Sequence, residues 1–129
     1  MLVNPSDLVA KAKATIKECS VGNARDCVGS NTLFIDIREP AEYNRGHIPG
    51  ALHLPRGLLE FDLHNLVERA RSDMNIPNDE QAIVLYCGTG GRSALAAKTA
   101  EELGYKNVKS MAGGIVAWAQ AQLPIDLPR

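Results

Sequence analysis

The chain has 129 residues, of which 45% are hydrophobic, so it is long and apolar enough for one continuous core. Its 14 lysine and arginine residues nearly balance 15 aspartate and glutamate residues, which gives no electrostatic reason to expect nucleic acid or an anionic membrane as a partner. No basic segment followed by an apolar run opens the chain, and no run of about 18 apolar residues occurs, so we expect a cytoplasmic protein.

The first predicted element is a helix near the N-terminus. Asn4 can cap it, Pro5 suits its first position, and Asp7 lies near the positive end of the helix dipole. An apolar stripe then recurs at helical spacing through Leu8, Val9, Ala12 and Ile16. The helix is predicted to end near Cys19, before Gly22. We expect one domain over residues 1–129, with residues 1–30 forming an N-terminal helix and loop that lead into it.

Two short apolar runs, at residues 33–37 and 82–87, predict central strands of a parallel sheet, because neither shows the alternation of a half-solvated strand. Between them, residues 51–54 predict a short strand and residues 58–69 a helix. A turn is expected at residues 77–79, where Pro, Asn and Asp follow one another.

Three further elements complete the predicted fold. A helix is expected after Ser93 and ends near Gly104, and its residues Ala96, Thr99, Ala100 and Leu103 recur at helical spacing. A last strand is predicted at residues 108–111, and Gly113 and Gly114 open a terminal helix in which Trp118 fills the core. This alternation predicts an α/β fold with an open, mostly parallel twisted sheet and helices on both faces.

Ligands bind at the carboxyl ends of the strands in such sheets, which directs attention to the loop after the 82–87 run. Three of the four residues after Cys87 are glycine, which permits positive φ and close backbone approach, and a helix is predicted to follow at once. Backbone N–H groups can therefore converge beside a helix N-terminus and favour the thiolate of Cys87. Cys87 is the predicted nucleophile, and the residues predicted to bind substrate are Gly88, Thr89, Gly90, Gly91, Arg92 and Ser93.

Four motifs occur in the order and at the spacing that are usual in one known family. They are DIREPAEY at residues 36–43, GHIPGA at 46–51, CGTGGRS at 87–93, and the Gly113–Gly114 pair with Trp118. Together they resemble the rhodanese family over roughly residues 33–123. The resemblance implies a rhodanese-like fold and a sulfane-sulfur transferase that uses neither a metal nor an organic cofactor.

Loop length distinguishes related activities. Four residues separate Cys87 from Arg92, as in rhodaneses, whereas the related cell-cycle phosphatases and protein tyrosine phosphatases have five. Removing one residue shortens the loop contour by about 3.5 Å, which suits one added sulfur better than a tetrahedral phosphate.

We therefore expect an enzyme of the thiosulfate sulfurtransferase (rhodanese) type. The Cys87 thiolate would take sulfur from a donor such as thiosulfate, and the persulfide would pass it to cyanide or to a thiol, including a thioredoxin-like or other protein thiol. One alternative is a persulfide carrier or docking module without turnover, because Gly88 and Thr89 are neutral where a basic side chain would attract a dianionic donor. Another is a cysteine-based phosphatase or arsenate reductase.

Three charged residues are assigned supporting roles. Asp36 is expected to accept hydrogen bonds from N–H groups of the Cys87 loop. Arg38 either faces the site entrance or, as we favour, pairs with Glu42 at i+4. Arg92 either clamps an anionic substrate or braces the loop against a carboxylate.

The remaining cysteines and the histidines are assigned structural roles. The spacings of His47, His53 and His64 do not place two of them on one helical face, so we predict packing or surface roles and no metal. Cys19 and Cys27 could resolve an oxidised Cys87, but we favour Cys19 packing in the first helix and Cys27 lying in a loop.

Overall fold

The computed structural model describes residues 1–127 and contains one five-stranded sheet in that range. The strands are β1 (Lys17–Cys19), β2 (Leu33–Asp36), β3 (Leu52–His53), β4 (Ile83–Tyr86) and β5 (Val108–Met111). Their order across the sheet is β1-β5-β4-β2-β3, and every neighbouring pair is parallel. The predicted open, parallel α/β architecture is confirmed.

Helices cover both faces of the sheet. The α-helices of residues 1–127 are α1 (Pro5–Lys13), α2 (Val21–Cys27), α3 (Pro40–Asn44), α4 (Leu59–Ala70), α5 (Gly91–Glu102) and α6 (Gly114–Gln120). Short 3₁₀ turns occupy Arg56–Leu58 and Asn78–Glu80. The longest of these helices have 12 residues, and none combines the length and the apolar character that crossing a bilayer requires.

Side chains of the central strands divide the core into two layers. Ile83 and Leu85 of β4 face one layer with α4 and α5, whereas Val84 and Tyr86 face the other with α2 and α6. Full burial of each large aliphatic side chain stabilises the fold by roughly 1.5–3 kcal/mol. Trp118 fills the second layer as predicted, with 1% of its surface exposed, and its Nε1–H donates to the carbonyl of Pro124 at 2.8 Å.

The prediction for residues 1–30 was wrong in its details. Helix α1 is capped by Asn4 as expected but ends at Lys13, and the segment reaching Cys19 is strand β1, which pairs with β5. The carbonyl of Cys19 accepts from the N–H of Ala112 at 2.9 Å, so this backbone gains sheet partners that a continued helix would not give it. Helix α2, capped by the Ser20 side chain, was not predicted at all.

These differences relocate two cysteines. Cys19 ends β1 rather than packing in the first helix, and Cys27 is the last residue of α2 rather than part of a loop. Both contact the core layer under α2 and α6, whereas Cys87 belongs to the layer under α4 and α5. All three thiols are free. The sheet therefore separates the two other cysteines from the core layer of Cys87.

Candidate active site

The sheet brings the two predicted site segments together. Strands β2 and β4 are direct neighbours, with Asp36 opposite Tyr86 in the register. The residue after each strand is held by the same pairing, since the N–H of Ile37 donates to the carbonyl of Tyr86 at 3.1 Å. Segment 36–38 and the loop that begins at Cys87 thus share the carboxyl edge of the sheet.

Two backbone amides point at the sulfur of Cys87. The N–H of Gly90 lies 3.2 Å and that of Ser93 lies 3.3 Å from Sγ. Ser93 sits in the first turn of α5, where N–H groups have no partner within the helix and are free to bind another acceptor. The Ser93 hydroxyl is 3.5 Å from the sulfur and is fixed by a 2.8 Å contact with the hydroxyl of Ser110. Both N–H groups thus aim at one acceptor atom, which is the geometry of an anion-binding nest.

Glycine is required where the loop meets α6. Gly114 has φ +60°, and a Cβ on it would lie 2.6 Å from the carbonyl oxygen of Cys87 and would also collide with the backbone of Gly88. The close approach lets the N–H groups of Ile115 and Val116 donate to the carbonyls of Cys87 and Gly88 at 2.9 and 3.1 Å. Helix α6 therefore fixes the first two peptide units of the loop.

The sulfur lies beneath the loop surface. Cys87 is 1% exposed and Gly90 and Ser93 are buried, whereas Thr89 and Arg92 are exposed and Gly88 and Gly91 are half-buried. The loop therefore presents an exposed outer face while the side chain of Cys87 is recessed beneath it.

Arg92 braces the loop against a carboxylate. Its Nη1 and Nη2 donate to the two carboxylate oxygens of Glu42 at 2.8 and 3.0 Å, a two-bond fork between α5 and α3. These hydrogen bonds lower the pKa of Glu42 from its ordinary 4.5 to about 2, and Glu42 in turn raises the pKa of Arg92. Of the two roles predicted for Arg92, the structure shows the brace. The sequence pattern indicated only Arg38 as a partner for Glu42.

The predictions for Asp36 and Arg38 were wrong in their partners. The Asp36 carboxylate accepts from the backbone N–H of Arg38 at 2.9 Å and from its guanidinium at 2.8–3.1 Å, and it accepts none of the loop N–H groups. Arg38 also donates to the carbonyl of Gly46 at 2.7 Å. Glu42 is occupied by Arg92, so the expected i+4 pair with Arg38 does not form. Burial acts to lower the pKa of Arg38, but the pKa is raised overall, because the hydrogen bond and charge of Asp36, together with the charges of Tyr86 and Glu42, outweigh burial.

The buried pair organises the neighbouring strand ends. Asp36 is 0% and Arg38 7% exposed. Beside them the hydroxyl of Tyr86 accepts from the N–H of Ile48 at 3.1 Å, and burial followed by the charge of Asp36 raises the pKa of that phenol. The pair thus positions the segment that runs alongside the Cys87 loop.

The histidines make packing contacts. The Tyr43 ring stacks between His47 and His53 at centroid distances of 3.9 and 4.5 Å, and its hydroxyl donates to the carbonyl of Ala51 at 2.8 Å. His64 lies elsewhere, on α4, where its Nδ1 is 2.6 Å from the hydroxyl of Tyr105. These contacts agree with the packing roles predicted for the three side chains.

Asp36→Asn is expected to destabilise the fold by about 3 kcal/mol, because the substitution leaves the buried Arg38 charge without a carboxylate. Urea unfolding measures the change. Asp79→Asn is the matched control, since Asp79 pairs with Lys106 at 3.3 Å on the surface and such pairs contribute no more than about 1 kcal/mol. Equal losses in the two variants would contradict the structural role assigned to the buried pair.

Comparison with known proteins agrees with this geometry. The family profile described as "Rhodanese-like domain" matches residues 20–121. The chain belongs to the rhodanese-like family. A protein named sulfurtransferase from Allochromatium vinosum is 39% identical over 98 residues, which cover 76% of this chain and 81% of the relative. The thiosulfate sulfurtransferase GlpE of Haemophilus influenzae is 30% identical over 113 residues, which cover 87% of this chain and 96% of the relative.

One solved structure aligns with nearly the whole of this rhodanese-like chain. It is a protein of unknown function from Rhodopseudomonas palustris, described as a possible tyrosine phosphatase. It superposes with a TM-score of 0.79 at 32% identity and covers 98% of this chain and 96% of its own. The alignment therefore includes α1 and β1, which precede the family match, as well as the rhodanese-like region itself.

Proposed function

We propose that this rhodanese-like protein is a sulfurtransferase that carries sulfane sulfur as a persulfide on Cys87. Relatives named sulfurtransferases support sulfur transfer at a general level, with a sulfur donor and a sulfur acceptor as partners. The observation that carries the finer proposal is the pair of N–H groups, from Gly90 and Ser93, aimed at one sulfur within a four-residue loop.

The loop supplies what each half-reaction requires. N–H groups at 3.2 and 3.3 Å favour the thiolate, which attacks the outer sulfur of a donor. The persulfide that results carries its negative charge on the terminal sulfur, and the glycine loop offers further backbone N–H groups without side chains in the way. An acceptor thiol or cyanide then removes that sulfur. Sulfur itself is the electrophile throughout, so this chemistry needs neither a metal nor an organic cofactor.

The alternative hypothesis, that the protein is a phosphatase, is less well supported. The description of the Rhodopseudomonas palustris protein raises it, and a cysteine followed by an arginine in one loop is common to both chemistries. However, Arg92 is held by Glu42 in two hydrogen bonds, so its charge is already paired with a carboxylate. The short loop also leaves fewer N–H groups for the three phosphoryl oxygens. We therefore favour sulfur transfer.

A persulfide on Cys87 is the test of the proposal. Incubation of the full chain with thiosulfate, and separately with cysteine persulfide, is expected to add about 32 Da, one sulfur, to the peptide that holds Cys87. Cys19 and Cys27 serve as internal controls, because both lie in the core layer under α2 and α6, away from the Cys87 loop, and neither should gain sulfur at a comparable rate. Peptide mass spectrometry without reductant locates the adduct.

The same samples distinguish the alternatives. Subsequent cyanide should remove the added sulfur as thiocyanate and restore the original mass. An adduct that forms but is never passed on with turnover would favour a carrier or docking module. Failure of Cys87 to gain sulfur from any donor, combined with hydrolysis of an aryl phosphate, would overturn the proposal in favour of a phosphatase.

A further inference from the structure

Both arginines of the site are neutralised by carboxylates. Arg38 is buried and bound to Asp36, and Arg92 is bound through both terminal nitrogens to Glu42. Glu42 is itself fixed, because its Oε1 also accepts from the N–H of Glu39 at 3.1 Å in the capping box of α3. Its pKa of about 2 keeps it ionised at neutral pH. Neither arginine is therefore a free cation.

The Arg92 guanidinium lies over the start of the loop. Its Nη2 is 3.2 Å from the point that a Cβ on Gly88 would occupy, and the Cys87 sulfur contributes, after Glu42, to the raised pKa of Arg92. The four residues between Cys87 and Arg92 carry no charge. The net side-chain charge that a donor meets at this loop is therefore that of the ion pair between Arg92 and Glu42, which is zero.

Donors differ in how much they need a cation there. Thiosulfate carries two negative charges, and its attack by a thiolate brings three charges together. An organic persulfide carries at most one charge on its sulfurs, so the repulsion is smaller. Interactions between charges a few ångströms apart near a protein surface are large enough to change rates by an order of magnitude.

We propose that Glu42 sets the donor preference of this site: by holding Arg92 in a neutral ion pair above Cys87, it disfavours dianionic thiosulfate and leaves organic persulfides as the preferred donors. Glu42 is a positioning residue in this scheme, since it acts through Arg92 and touches no reacting atom. The inference rests on the proposed function.

The two transfers balance without an oxidant. With thiosulfate, a bond forms between Cys87 Sγ and the outer sulfur, the bond from that sulfur to the central sulfur breaks, and sulfite leaves with the electron pair. With an organic persulfide, the same bond forms and the donor leaves as a thiolate with the electron pair of the broken S–S bond. Both produce the Cys87 persulfide anion, so one measurement follows both.

Four proteins test the charge dependence: the unaltered chain, Glu42→Gln, Arg92→Gln and the double variant. The charge of the pair is then 0, +1, −1 and 0. The rate of adduct formation from thiosulfate should rise about tenfold in Glu42→Gln, fall about tenfold in Arg92→Gln and return near the original in the double variant. The rates with cysteine persulfide should change much less, and the thiosulfate gain in Glu42→Gln should shrink as salt is added.

Asp79→Asn, a surface ion-pair variant at the opposite edge of the sheet, should leave the ratio of donor rates unchanged. The salt dependence of the unaltered chain needs no variant: added salt should raise its rate with thiosulfate, because the thiolate and the dianion repel each other beside a neutral ion pair. Misfolding of a variant therefore does not remove the test. Equal donor ratios across the four proteins would overturn the inference and leave the proposed function intact. Absence of a Cys87 adduct from both donors in the unaltered chain would instead overturn the proposed function.

Discussion

Cys87→Ser is expected to lower sulfur transfer by a factor on the order of 10³ or more, because a hydroxyl at this position cannot form the persulfide on which the cycle depends. The fold should remain, since serine is close to cysteine in size and its oxygen can still accept from the N–H groups of Gly90 and Ser93. Thiocyanate formation from thiosulfate or cysteine persulfide with cyanide measures activity, and thermal unfolding checks the fold.

Cys27→Ser is the matched control for this substitution. Cys27 lies at the end of α2, in the core layer on the other side of the sheet from Cys87, so its loss should leave the rate within about twofold. Comparable loss of activity in the two variants would show that Cys27 takes part in the cycle. Residual turnover in Cys87→Ser close to that of the unaltered chain would remove Cys87 from the chemistry.

Gly114→Ala is expected to destabilise the fold by about 3–4 kcal/mol, and to lower activity in whatever protein remains folded. The φ of +60° alone costs roughly 1–2 kcal/mol for a residue with a Cβ. The larger part arises because the added methyl overlaps the backbone of Cys87 and Gly88, so α6 must withdraw from the loop and give up two hydrogen bonds of about 1 kcal/mol each.

Gly50→Ala measures the free-energy cost of a positive φ without the steric collision that occurs at Gly114. Gly50 has φ +79°, but nothing lies within 4 Å of the position that its Cβ would take. This variant should therefore lose only about 1–2 kcal/mol. Urea unfolding of both variants provides the comparison, and a loss for Gly114→Ala no greater than that for Gly50→Ala would refute the close-packing account of the junction between the loop and α6.

Strands buried on both faces were readily predicted from the sequence. The predicted strand at residues 108–111 coincides with β5, in which Lys109 is exposed. The apolar runs at residues 33–37 and 82–87 correspond to β2 and β4. Their apolar side chains need cover on both faces, which leaves a local signal of continuous hydrophobicity. This signal can be recognised in the sequence without knowing which strand or helix packs against the run.

At one edge of the sheet, strand β1 was not predictable in the same way, whereas the strand predicted at residues 51–54 contains β3, which forms the other edge. Strand β1 has a burial pattern of two exposed residues and one buried residue, so it lacks a hydrophobic run. Its backbone is ordered by pairing with β5, which lies about ninety residues later in the sequence. Local pattern therefore favoured extending α1 through this segment, and only tertiary pairing overrides that preference.

The same distinction applies to the site. Cys87 and the glycine content of its loop could be predicted directly from the sequence, because the reactivity of cysteine and the backbone freedom of glycine are properties of the residues themselves. The partners of Asp36, Arg38 and Arg92 could not, since each of these residues had several reachable partners of opposite charge or polarity. Arg92 and Glu42 are fifty residues apart, and only the packing of α3 beside the loop selects that pairing.

The placement of β1 has a consequence for the boundaries of the rhodanese-like region. The family match starts at residue 20, yet residues 17–19 form an edge strand of the sheet and pair with one side of β5. A chain shortened to the matched region would present the bare backbone of β5 to solvent, and an open four-residue strand is a template on which other molecules can add strands of their own. Residues 17–19 cover this edge of β5, so we expect the shortened chain to self-associate more readily than the full chain.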